Sequence, residues 1–314
     1  MKVSRRKIII FAFSAVLIFA VVEIGNPFEP RYQGRSLSSW AKDLNFYTEL
    51  SEEPQTNLEI HHKHELAVAA VQHIGVRALP TALKLCRAKD SWIKKKLLKD
   101  LPDALNIDSD NWNISWSGDK QFDGAKIIQA LGPTAEPAIP NLVVLLQSQD
   151  SSTANNAIYA LWGIGTNALP SLVECLTNKD EKIRRWSARG VGLFRKQART
   201  AVPGLVLCLK DKNAFTRENA TRSLGQIGED APMVIPALVS CLEETTNYPS
   251  YALWWSIGRF GTNAQPAIPT LVKIIESKRW DYLAALNTLH RIDPPLADSY
   301  FKQFGMTNQP PSSP

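Results

Sequence analysis

The 314-residue chain is poor in the residues that carry chemistry. It holds five histidines and four cysteines, and it has no nucleophile elbow, phosphate loop or paired-carboxylate motif. His61, His62 and His64 cluster beside Glu65, while His73 and His290 stand apart. His61 and Glu65 have the i, i+4 spacing some zinc sites use, but no third ligand is placed by sequence, so a solvated helix start is expected. Asp108, Asp110 and Asp119 echo positions 1, 3 and 12 of a calcium loop. Trp112 and Asn113 stand where an oxygen ligand and a glycine are required, and the match fails. No metal, cofactor or catalytic group is expected, and the chain reads as a non-enzyme.

Charge of one sign is also scarce. The net charge is +6, and segment 1–30 contributes +2 of it, four basic residues against Glu23 and Glu29. The remaining +4 is spread over 284 residues and gives little support to a nucleic-acid groove, which wants rows of Lys and Arg. The cysteines offer no disulfide. Cys175, Cys208 and Cys241 recur at equal intervals, each five after a proline. They occupy one core position in successive units, which stack about 10 Å apart, too far for a disulfide. Cys86 lies one position off that register.

What is present is a period. The pairs Leu131-Gly132, Ile164-Gly165, Phe194-Arg195, Ile227-Gly228 and Phe260-Gly261 follow one another in steps of 33, 30, 33 and 33. Pro140, Pro170, Pro203, Pro236 and Pro269 follow in steps of 30, 33, 33 and 33. The pair-to-proline interval is six after Ile164 and nine in the other four; Ile74-Gly75 to Pro80 is a further short copy. Gly past an apolar segment ends a helix in the left-handed conformation, and Pro is tolerated in the first turn of the next. Asp150, Asp180 and Asn213 sit where N-caps belong. Behind each proline runs an i, i+3, i+4 apolar stripe, such as Leu205/Cys208/Leu209, which stacked hairpins bury.

These residues resemble HEAT repeats, and in particular the short HEAT-like repeats also seen in phycobilin lyases. The resemblance covers roughly 60–293. It rests on the Ile/Leu-Gly hinge, the Ala-Ile-Pro-x-Leu-Val start of helix two, and an arginine four residues after the cap, Arg184 and Arg217. Arg195 departs from the hinge Gly, and the copy near Asn247 lacks the arginine. The resemblance implies an all-α, right-handed α-solenoid of stacked antiparallel helix pairs, with second helices lining a concave face. Positions one and four after each proline would then point outward. These are Thr81/Lys84, Asn141/Val144, Ser171/Glu174, Gly204/Leu207, Ala237/Ser240 and Thr270/Lys273. Being small and mostly uncharged, they suit a protein segment; small residues equally fit tight stacking. A bilin-lyase-like enzyme or chromophore-binding protein is the alternative implied by the resemblance. A nucleic-acid-binding solenoid, as in HEAT-like glycosylases, is the weaker one.

The organisation expected is an anchor over 1–26, a linker over 27–35, the solenoid over 36–306 with an irregular insert at about 103–123, and a disordered Pro/Ser-rich tail over 307–314. Lys2, Arg5, Arg6 and Lys7 precede the apolar run Ile8–Val22, with no small-x-small cleavage site after it. An uncleaved signal anchor in a bacterial inner membrane follows, basic end cytoplasmic and solenoid periplasmic; cleavage and secretion is the alternative. The gap between Pro80 and Pro140 fits one divergent repeat, with a helix over Ser91–Leu101. Trp112 and Trp116 in the insert are expected either to fold back onto the solenoid or, as a second candidate, to form a partner-binding edge.

Overall fold

Five apolar-stripe hairpins foretold from the period are present as helix pairs in a computed structural model, which describes residues 28–44, 58–89, 117–244 and 251–305. The predicted anchor over 1–26, the tail over 307–314, the helix expected over Ser91–Leu101, Trp112, Trp116, Asp108 and Asp110 lie outside these residues. In order come β1 (Arg31–Tyr32), β2 (Arg35–Ser36), α1 (Leu37–Ala41), α2 (Leu58–Ile74), α3 (Leu79–Cys86), α4 (Ser117–Leu131), α5 (Ile139–Leu145), α6 (Ser151–Ile164) and α7 (Leu169–Cys175). Then follow α8 (Glu181–Gly192), α9 (Val202–Cys208), α10 (Ala214–Ile227), α11 (Ala231–Glu244), α12 (Tyr251–Arg259), α13 (Ile268–Glu276), α14 (Tyr282–Ile292) and α15 (Pro294–Gln303). The architecture is an all-α solenoid. Its pairs are α2/α3, α4/α5, α6/α7, α8/α9, α10/α11 and α12/α13.

Local chemistry sets the boundaries. Asp150 accepts from the backbone N–H groups of Ser152 and Thr153, Asp180 from Lys182, and Asn213 from Phe215 and Thr216, so the three caps hold helix starts that would otherwise have orphan donors. Two residues earlier a second side chain holds each cap: Ser148 Oγ, Asn178 Oδ1 and Asp211 Oδ1 accept from the N–H of Asp150, Asp180 and Asn213. The long and short linkers become long and short 3-10 turns, Gly132–Ala138, Arg195–Ala201 and Gly261–Ala267 against Gly75–Ala78 and Thr166–Ala168. At the one hinge without glycine, Arg195 adopts φ 50°, left-handed backbone that costs a side-chain-bearing residue about 1 kcal/mol.

The α10/α11 pair departs from the expected register. Helix α11 starts at Ala231, placing Pro236 inside it instead of in its first turn. Pro232 supplies an earlier start, and Asp230, at φ 56°, turns the chain into it. Having no N–H, Pro236 leaves the Pro232 carbonyl without a helical donor.

Two expectations near the N-terminus change. Residues 28–36 are not a plain linker: β1 and β2 pair antiparallel, with Tyr32 opposite Arg35. Buried Glu29 accepts from Ser38 N–H and Oγ, and Trp40 Nε1 donates to the Tyr32 carbonyl at 3.2 Å. This hairpin and α1 cap the array; Lys126 of α4 reaches across to the Ala41 carbonyl at 2.9 Å and pairs with Asp123 at 2.8 Å. The expected intervening repeat between Pro80 and Pro140 is also corrected. Gln72 of α2 donates to the Ala130 carbonyl of α4, and Arg87 donates to Asn141 of α5. A Cβ on Gly124 would lie 2.7 Å from the Ala82 carbonyl oxygen of α3. The α2/α3 and α4/α5 pairs are therefore direct neighbours. The irregular stretch drawn to Asp123 gives way to helix at Ser117.

Candidate functional site

Apart from α11, the second helices are short, and each exposes the same two positions. The proline and the residue four after it face solvent at Pro140/Val144, Pro170/Glu174, Pro203/Leu207 and Pro269/Lys273, whereas Ser240 is half-buried. Val144 is 59% and Leu207 70% exposed. Position two after the proline is core throughout: Leu142, Leu172, Leu205, Leu238 and Leu271 are fully buried.

Position one differs from the expectation that it would point outward. Asn141, Ser171, Gly204, Ala237 and Thr270 are all half-buried. At about 100° per residue, positions one and four diverge by about 60°, so only one of them can face straight out. Position one turns toward the preceding unit. Asn141 accepts from Arg87, Thr270 Oγ1 donates to Glu243 at 2.9 Å, and a Cβ on Gly204 would sit 2.8 Å from Leu176 Cδ1. Ala237 packs on the core. Close stacking, not groove lining, accounts for the small residues at Gly204 and Ala237. Ser171 and Glu174 line a depression of about 630 Å³ between α5 and α7, along with Val143. Val144 borders a second, of about 550 Å³, with Arg87, Gln121 and Asp150.

The first helices meet differently. Ser223 Oγ of α10 donates to the Ala188 carbonyl of α8 at 2.6 Å, and Ser256 Oγ of α12 donates to the Thr221 carbonyl of α10 at 2.7 Å. Opposite Ser256 stands Gly225, where a Cβ would lie 2.8 Å from Ser256 Cα. Gly192 faces Ser223 in the same way one unit earlier. These contacts were missed in the sequence, although Gly192, Gly225 and Gly258 recur with the period of the repeat, as do Ser223 and Ser256.

The repeat arginines have a stacking role. Arg184 forks onto both Asp211 oxygens of the next unit, at 2.6 and 3.1 Å, and donates to the Asn178 and Lys179 carbonyls. Its hydrogen bond is the main cause holding the Asp211 carboxyl below the usual carboxylate range. Arg217 repeats the fold-back onto the Asp211 and Lys212 carbonyls.

The chemistry-bearing side chains do not assemble. Among the described residues no group of three His, Cys, Asp or Glu side chains is placed to hold a metal ion. Cys86, Cys175 and Cys208 are free and buried, and Cys241 is half-buried. Burial pushes the Cys86 thiol up to about 12 and that of Cys208 up to about 11, leaving both protonated at neutral pH and poor nucleophiles. His61 and Glu65 lie 3.3 Å apart on an exposed helix start.

Comparison with known proteins bears on the period. Residues 123–192 and 169–252 both match the family described as HEAT repeats. Among solved structures, the HEAT array is similar to the complex of CpcE and CpcF of phycocyanin lyase from Nostoc sp. PCC7120. That match is 25% identical, with a TM-score of 0.39, and covers 55% of this chain and 71% of that one. Two engineered proteins are also similar, at 18% and 17% identity and a TM-score of 0.33 each. They cover 74% and 85% of this chain, and 97% and 77% of their own. No curated protein matches.

One described stretch, Glu59–Cys86, is long and apolar enough to cross a membrane by composition. It is the α2/α3 hairpin, broken by the Gly75–Ala78 turn and packed into the array.

Proposed function

We propose that this chain is a protein-interaction scaffold whose second-helix face takes an uncharged segment of a protein partner. The concave face implied by the resemblance to HEAT arrays is this face. The observation that carries the reading is the exposure of Val144 and Leu207 at one register position of α5 and α9. A single exposed leucine is ordinary. Val144, bordering one open depression, and Leu207, at the same register position two units on, together present apolar area whose burial is worth about 1.5–3 kcal/mol per side chain. Asn141, Ser171, Gly204, Ala237 and Thr270 shape the ridge by setting how closely units stack, while Glu174 and Lys273 add one exposed charge of each sign and Ser240 a half-buried hydroxyl. In this reading the apolar run Ile8–Val22 anchors the array on the periplasmic side of a bacterial inner membrane.

Two experiments test these parts separately. A photo-crosslinking residue placed at 144 and, separately, at 207 in the full chain should trap one and the same protein in membranes, and Val144→Glu/Leu207→Glu should abolish its co-purification. Different products from the two positions, or a partner indifferent to the double variant, would sink the ridge. For the anchor, alkaline phosphatase fused after Gln303 should be active only if the array is periplasmic; inactive fusions would refute that placement.

A further inference from the structure

The first-helix face carries a pattern the scaffold reading does not use. Arg189 of α8 and Arg222 of α10 hold the same position in successive repeats, and Trp255 of α12 holds it in the next. Arg189 and Arg222 are exposed and Trp255 is half-buried. Around them the cations stack on rings. The Arg185 guanidinium lies 4.9 Å from the Trp186 ring centre and 4.4 Å from that of Phe215, which is itself 61% exposed. Arg189 lies 5.8 Å from Trp186, and Arg259 lies 5.7 Å from Trp255. Arg222 pairs with Glu218 at 3.1 Å across a surface open to water, a contact worth about 0.3–0.5 kcal/mol and readily exchanged.

Among the described residues Arg185, Arg189 and Arg259 have no carboxylate partner, and Arg185 Nε is buried without a hydrogen-bond acceptor. Stacking on aromatic faces fixes a guanidinium plane while leaving its N–H edges free for bidentate carboxylates. Order of that kind lowers the entropy lost on binding.

We infer that this face docks an acidic segment of a partner protein, with carboxylates on Arg189 and Arg222 and an apolar or aromatic side chain against Phe215 and Trp255. Charge complementarity selects the occupant. Neighbouring helices lie about 10 Å apart, the span of about three extended residues, so acidic residues at every third position meet successive arginines. A nucleic-acid strand is a poorer match, because its affinity scales with the number of phosphates neutralised, and the row holds two arginines before it gives way to Trp255.

The test selects binders from a random dodecapeptide library on the full-length protein in detergent. The enriched peptide is then measured by fluorescence anisotropy beside its Asp→Asn/Glu→Gln counterpart, an oligothymidylate and phosphatidylglycerol vesicles. The expected peptide carries two acids three residues apart, binds about tenfold more weakly once neutralised, and loses about tenfold against Arg189→Gln/Arg222→Gln. Arg189→Lys/Arg222→Lys should fall between, and Val144→Glu/Leu207→Glu should bind as wild type, which separates this face from the second-helix ridge. Unaltered thermal melts of each variant exclude misfolding. Neutral or basic consensus peptides, or an acidic peptide that ignores the arginine-to-glutamine pair, would overturn the inference. So would the oligonucleotide or the vesicles binding through these arginines where the peptide does not.

Discussion

The two helix layers of the array solve different problems. First helices such as α8, α10 and α12 lock together: serine hydroxyls reach neighbouring backbone carbonyls, and glycines let the helices come within contact of backbone atoms. Second helices such as α5, α7 and α9 are seven residues long, stack through position one, and leave depressions and two exposed apolar side chains between them. Stability between repeats is thus concentrated in one layer and in the loops at its edge. The other is free to carry recognition, since in a solenoid each unit is held by its neighbours.

That contrast can be broken in graded steps. The largest effect is expected at the loop edge, where Asp211→Ala strands the Arg184 charge, whose side chain is only 19% exposed. A loss of about 3 kcal/mol in urea unfolding follows. The wild-type contribution of Asp211 also depends on pH. Its carboxyl is held below the ordinary value, so the contribution is full above the usual carboxylate range and lost as pH falls through the depressed value. The stability gap between wild type and Asp211→Ala should accordingly narrow in acid; a gap constant from pH 7 to about pH 2 would refute the clip.

Within the first-helix layer, Gly225→Val forces carbon into Ser256 and should cost about 2 kcal/mol. Ser256→Ala removes one buried inter-unit hydrogen bond and should cost about 1 kcal/mol; calorimetric melts on both would sharpen the contrast, and equal tolerance of valine would remove it. Smaller and of opposite sign, Arg195→Gly relieves the left-handed backbone and should raise stability by about 0.5 kcal/mol net of unfolded-chain entropy. A fall in melting temperature would show that Arg195 is held for another reason.

Much of this array is legible in the sequence because its boundaries depend on single residues. A cap such as Asp150, a hinge such as Gly228 and a linker of six or nine residues each act locally, so their period survives in the chain. Contacts across units left weaker marks. The Gly225–Ser256 interlock shows as two separate periodic spacings, and only packing reveals that one faces the other. The adjacency of α2/α3 and α4/α5 is a long-range contact to which loop length is blind. The β1–β2 pair is two residues per strand, too short for alternation to show. For the ridge, the resemblance to HEAT arrays set positions one and four outward, Val144 and Leu207 among them, without telling one position from the other; helix geometry fixes the angle between them, and the neighbouring unit settles which of the two faces solvent.

The most direct test of the contrast is a single urea titration of three full-length proteins: wild type, Gly225→Val and Val144→Glu/Leu207→Glu. If stacking resides in the first-helix layer, Gly225→Val unfolds about 2 kcal/mol early and the double variant lies within about 0.5 kcal/mol of wild type. A double variant as damaged as Gly225→Val would place Val144 and Leu207 in the stabilising contacts and contradict the account.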